Sequence, residues 1–147
     1  MRNRVVRLCL VAILPVMLAF TVGCPPKTPP PPTVVSYIPT FTVSFPTLVA
    51  GTSGSFSFNA MAKMSNGTTV PAATTNWNFQ IFPAGQGWFT SWGPLNMKTT
   101  SFDAQTDTSG NINGVTLVCN NPEHAVRVIA TAKMPPAATT FFEFVCK

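Results

Sequence analysis

Four carboxylates, one histidine and four cysteines are the main stock from which this chain could build acid–base, metal or thiol chemistry. The acids Asp103, Asp107, Glu123 and Glu143 are few for a proton-transfer mechanism, and none sits in an apolar context that calls for a raised pKa. Glu143, inside "FFEFV", comes nearest. Strict alternation sets it on the face opposite Phe142 and Phe144, which predicts a solvated carboxylate. His124 follows Glu123 in a turn-forming cluster and is expected to face solvent. A two-thiol metal site would want imidazole partners, and His124 is the single histidine. "DAQTDTSGNIN", residues 103–113, has oxygen ligands at alternate positions, but Thr108 stands where a calcium loop needs Gly and Gly114 where it needs Glu. A simple turn is expected there. No nucleophile-elbow, zinc or phosphate-loop motif is present, so neither metal nor cofactor is expected and a non-catalytic role is predicted.

What remains is display rather than reaction. "GQGWFTSWGPLNM", residues 85–97, places Trp88, Phe89 and Trp92 among glycines in an expected loop. Aromatics on a loop could stack on sugar rings or anchor a protein. The alternative is that they fold back as an apolar cap, because large apolar groups are generally buried. Trp77, on an expected strand, reads as core.

The elements that carry these residues begin with an address. "MRNRVVR" holds Arg2, Arg4 and Arg7 with no acid, and residues 8–22 carry no charge, the layout of a secretory signal. That run is shorter than the roughly 20 residues a membrane span requires, and Pro15 interrupts it. Gly23 precedes Cys24, after Thr21 and Val22. This resembles the lipobox of bacterial lipoproteins, although Leu is commonest where Thr21 stands. The resemblance implies cleavage after residue 23, a diacylglyceryl thioether on Cys24 and an acylated new amino terminus. The alternative is a plain secretory signal with an incidental cysteine. Two or three acyl chains, at about 0.8 kcal/mol per buried methylene, hold a protein on a membrane where one does not. Pro25 is not the Asp that retains many lipoproteins at the inner membrane, which favours the outer one.

"PPKTPPPPT", residues 25–33, suits neither helix nor sheet and favours extended polyproline II, reaching roughly 28 Å as a spacer. The expected division is therefore a signal at 1–23, a lipidated cysteine and spacer at 24–33, and one domain at 34–147. Loss of the three arginines leaves Lys27, Lys63, Lys98, Arg127, Lys133 and Lys147 against four acids, a net charge of +2 instead of +5. The basic balance thus belongs to the signal, and nucleic-acid binding loses its support. Cys9 departs with the signal and Cys24 takes lipid, so Cys119 and Cys146 remain and are expected to form a disulfide in an oxidising compartment.

Beyond residue 33, apolar residues recur with period two between Gly, Asn, Pro and Ser clusters, which predicts strands joined by turns. Strands are expected at 34–38, 41–45, 55–64, 75–82, 97–105, 112–119, 124–133 and 139–147. Phe56, Phe58, Ala60 and Ala62 should share one face of the third, and Val126, Val128, Ala130 and Ala132 one face of the seventh. Asn66-Gly67 suits a tight hairpin turn. Seven or eight short strands predict an all-β antiparallel sandwich.

The stretches "LVAGTSGSFSFNAMAKMSNGTTVPAATTNWNF", "TDTSGNINGVTLV" and "HAVRVIATAK" resemble the bacterial immunoglobulin-like domains of intimins and invasins. The matching positions are Gly51 or Gly54, Phe58 with Ala60 and Ala62, Asn66-Gly67, Trp77, Gly110, and Val128 with Ala130 and Ala132. The resemblance implies an immunoglobulin-like sandwich serving as a binding or structural module of the envelope, with a protein or glycan partner. It also implies that the strands ending at Cys119 and Cys146 finish at one pole. The segment 83–96 is longer than the family's usual connection. Two rival readings are a carbohydrate-binding module using Trp88 and Trp92, and a passive assembly subunit that binds through a sheet edge.

Overall fold

Period-two patterning becomes two packed sheets in the structure, a computed structural model that describes residues 27–147. Two compact units divide the chain, 1–31 and 32–147. In the first, residues 27–31 are exposed and carry no regular structure; Cys24 and the rest of the expected signal lie outside the described residues.

The second unit contains eleven strands: β1 (Val34–Val43), β2 (Thr47–Leu48), β3 (Ser53–Met64), β4 (Thr69–Pro71), β5 (Asn76–Phe82), β6 (Gly87–Trp92), β7 (Leu95–Thr99), β8 (Ser101–Gln105), β9 (Asn111–Cys119), β10 (His124–Ala132) and β11 (Thr139–Cys146). One sheet runs β1-β3-β9-β6-β7, with β4 also paired to β3; the other runs β2-β11-β10-β5-β8. Every pairing is antiparallel except β2 with β11.

Alternation sorts the side chains as the sequence predicts. Phe56, Phe58, Ala60 and Ala62 of β3 and Val126, Val128, Ala130 and Ala132 of β10 are all buried, and they meet between the sheets around Trp77, Phe79 and Phe144. Small residues late in β3 and β10 leave room for the Trp77 indole, which packs edge-on against Phe58 with ring centroids 4.8 Å apart. The turn after β3 uses Gly67 at φ +85°, with Asn66 Oδ1 accepting from the Thr68 N–H.

Three expectations need correction, and two strands were not foreseen. Residues 34–38 and 41–45 are not separate strands: β1 runs unbroken through Pro39, because it lies at a sheet edge where a missing N–H costs no ladder bond. Residues 97–105 are not one strand but two, β7 and β8, which end in different sheets. The segment 85–97 is not a loop, since β6 pairs with β9 and makes a hairpin with β7. β2 and β4, of two and three residues, are too short to leave a periodic signal.

β9 and β11 run in the same direction, one in each sheet, and finish at the same pole. There Cys119 and Cys146 are bonded, with Cα atoms 5.9 Å apart and no solvent exposure. Lys147 is tied in at that pole by backbone bonds to Leu48 and Ala50. The opposite pole is where β1 begins and where the turns 65–68, 72–75 and 133–138 gather, as the registers of β1, β3, β4, β5 and β10 require.

Candidate functional site

β6 begins at Gly87, whose backbone lies so close to Val118 that an added Cβ would meet its carbonyl oxygen 2.5 Å away. From there the strand alternates, so Phe89 points between the sheets and is fully buried, its ring 4.7 Å from that of Phe102. A register shift between Phe89 and Ser91 then changes the alternation. As a result Trp92, three residues on, also packs against the core, 6.0 Å from the Phe102 ring. Trp88 takes the opposite face and is half-buried there. The three aromatics therefore do not form one displayed cluster. Phe89 is core, Trp92 flanks the core, and Trp88 alone among them is turned outward.

Trp88 borders an open cleft of about 480 Å³ with Lys98, Thr99, Thr100 and Asn120. The Lys98 ammonium stands 5.0 Å from the indole centroid, a cation–π contact that covers one face of the ring. The cleft thus combines a flat apolar ring, one positive charge and several hydroxyl and amide groups.

Three of the four acids are engaged in structural contacts. Asp103 accepts hydrogen bonds from Lys133 and from the Asn78 amide, and these hold its carboxyl below the ordinary carboxylate range against a small opposing effect of burial. Asp107 Oδ1 accepts the N–H groups of Ser109 and Asn111, both at 2.8 Å, which makes 106–110 a capped turn in place of a cation loop. Glu143 pairs with Arg127 at 3.0 Å on the solvent side of β11. Glu123 is exposed in the turn before β10, and His124, expected in that turn, is instead the exposed first residue of the strand, opposite Cys146. Among the described residues, no group of three His, Cys, Asp or Glu side chains is placed to hold a metal ion, and no helix is long and apolar enough to cross a membrane.

A second surface went unread in the sequence. The outward face of the β2-β11-β10-β5-β8 sheet carries Phe82, Phe141 and Val145, exposed by 58, 54 and 41%. Arg127 lies among them, paired across strands with Phe82 on one side and Glu143 on the other, its guanidinium 4.3 Å from the Phe141 ring centroid. Arg127 Nε is buried without a hydrogen-bond partner, held there by the rings and the Glu143 contact. The signal was available: the alternation that assigns Glu143 to solvent assigns Phe141 and Val145 to the same side. The corresponding face of the other sheet carries Thr42, Ser57, Asn59, Asn111 and Thr116, with the exposed Ile38 and the half-buried Trp88 as its large apolar groups. Neither a family model nor a curated protein sequence matches the chain.

Proposed function

We propose that the chain is a lipid-anchored envelope protein of a bacterium, whose single immunoglobulin-like domain is a non-catalytic binding or structural module. In this reading residues 1–23 direct export, Cys24 carries the lipid in the outer membrane, 25–33 are the spacer, and 34–147 meet a protein partner. The strand order supports the immunoglobulin-like assignment: β1, β3, β9 and β6 occupy the places of strands A, B, E and D, and β5, β10 and β11 those of C, F and G. β7 and β8 are additional to that plan; β7 begins within the long segment 83–96 and β8 follows it. The cross-sheet disulfide fits export to an oxidising compartment.

The observation that carries the binding role is the outward face around Phe141. A domain with 9% charged residues in its chain exposes three large apolar side chains on one sheet face, grouped about a single ion pair. Intact mass of membrane-extracted protein tests the anchor, which requires residues 24–147 plus acyl chains. Pull-down from solubilised envelopes tests the face: Phe82→Ser should lose the partner that the unmodified chain retains. An unlipidated mass rejects the first half of the proposal, and a partner indifferent to Phe82 rejects the second.

Trp88 favours a second reading, a glycan site in which a sugar ring takes the exposed side of the indole and Lys98 pairs with an acidic substituent. Quenching of tryptophan fluorescence by acidic envelope glycans, lost in Trp88→Ala, would support it.

A further inference from the structure

We propose that residues 46–52 form a strap over the Cys119–Cys146 bond, and that local opening of this strap, with the sandwich still folded, admits thiol reductants and oxidants to the two sulfurs. The segment leaves the outer edge of β11 and crosses the pole to the start of β3. Val145 N–H donates to Pro46 at 3.3 Å, Lys147 N–H to Leu48 at 2.8 Å and Ala50 N–H to Lys147 at 2.6 Å; one residue later Gly51 N–H donates to Cys119 at 2.9 Å. The path therefore runs from the sheet that holds Cys146 to the sheet that holds Cys119. Leu48 is the register partner of Cys146, and its carbonyl oxygen lies 3.4 Å from the Cys119 sulfur, so one residue touches both halves of a bond that has no solvent exposure.

The strap is held more weakly than the strands beneath it. β2 pairs only Thr47 and Leu48 with β11, whereas β10 pairs eight residues with the same strand and β9 is held between β3 and β6. Within 46–52 only Leu48 is buried, and Val49 is 61% exposed. A segment with one buried apolar anchor and few backbone bonds opens at a free energy well below that of global unfolding. Release of Leu48 and of the four backbone bonds to Val145, Lys147 and Cys119 uncovers the sulfurs and leaves the core around Trp77, Phe79 and Val128 in place.

The chemistry admitted is thiol–disulfide exchange with a dithiol. One thiolate of the dithiol attacks a cysteine sulfur, the Cys119–Cys146 bond breaks, and its electron pair leaves on the other sulfur as a thiolate. The second thiolate of the dithiol then displaces the first from the mixed disulfide, so two electrons pass to the protein and the dithiol becomes a disulfide. Run backwards with an oxidised partner of the same class, the opening lets the bond be closed after the strands have paired. This goes beyond the proposed binding role and depends on neither the anchor nor the partner.

Reduction of the full-length, undenatured protein by dithiothreitol, read as alkylation of the peptides that contain Cys119 and Cys146, tests the strap. Leu48→Ala should speed reduction at least about tenfold, because it removes the one buried anchor. Ala50→Pro, which deletes the N–H given to Lys147 and leaves the core side chains unchanged, should act in the same direction. Ile112→Ala is the control: it lies opposite Phe58, about 23 Å along β9 from Cys119, and it lowers global stability without touching the strap. Its reduction rate should stay within about twofold of the unsubstituted protein's, whatever its midpoint in urea. A rate that follows global stability across the three variants, or one that Leu48→Ala and Ala50→Pro leave unchanged, overturns the inference.

Discussion

Opening the Cys119–Cys146 bond should cost this domain about a quarter to two-thirds of the stability of an ordinary small fold. The bond closes a loop with a sequence separation of 27 between β9 and β11, which belong to different sheets. On the chain-entropy model a loop of that length restricts the unfolded chain by about 3.5 kcal/mol. Unfolding entropy of about 2.1 cal/mol/K per residue over the unit 32–147 converts this to a fall in Tm of about 14 °C. Both cysteines have no solvent exposure, so the test is best made on protein unfolded, reduced and refolded in reductant, which keeps both sulfurs in place. Urea unfolding of oxidised and reduced samples should differ in midpoint by that free energy. The Cys119→Ala/Cys146→Ala double variant should lose a further 1–2 kcal/mol or so through the space each missing sulfur leaves. A difference below about 1 kcal/mol would refute the reasoning. It would mean that residual structure in the unfolded chain already holds the segments of β9 and β11 near each other, so that the bond removes little further freedom.

Phe89→Ala should destabilise the domain by about 3–5 kcal/mol in urea unfolding while Trp88→Ala changes it by less than about 1, since one ring is core and the other faces out; equal effects would displace β6 from its sheet. Gly110→Ala should cost about 2–3 kcal/mol, because φ is +80° and the new Cβ would collide with the Ala60 carbonyl, whereas Gly67→Ala meets no atoms and should cost only about 1. The depressed Asp103 pKa predicts a stability contribution that is full above the ordinary carboxylate value of 3.8 and lost as pH falls through the folded-state value. Both partners of the Lys133 pair are about half exposed, so the effect is small, and unfolding midpoints between pH 2 and 5 should depend less on pH in Asp103→Asn.

How much of this the sequence disclosed depended on whether period two survived locally. In β3 and β10 it did over eight or more residues, and both inward faces could be named residue by residue. It also placed Trp77 in the core and Glu143 on the solvent side. In 83–105 it did not. Gly85, Gly87, Gly93 and Pro94 carry the statistics of a loop, yet Gly87 is required by the close approach of β6 to β9 and Gly93 with Pro94 makes the β6–β7 hairpin. The shift after Phe89 then sends two aromatics three residues apart to the same side, a spacing that strand alternation forbids. The crossing from β7 to β8 is equally silent, because Thr99, Thr100 and Ser101 continue a plausible strand pattern while the chain changes sheets. Pro39 produced the opposite error, since a proline inside an apolar run reads as a break unless the strand is known to lie at an edge.

The exposed face of the second sheet went unread for another reason, which bears on what the domain does. Period two says which residues share a side, but it assigns the solvent to whichever side holds the charge, and Glu143 captured that assignment for β11. The structure shows that the charge is already committed: its carboxylate pairs with Arg127, whose guanidinium lies against Phe141 and whose Nε is removed from water. Two of the few charges left after the expected signal are thus spent on each other in the middle of an apolar surface. They lower its overall charge to zero and leave little electrostatic opposition to a partner that approaches face-on or along the edge. Their pairing between Phe82, Phe141 and Val145 is the feature on which the proposed partner surface rests, and the Phe82→Ser pull-down is its test.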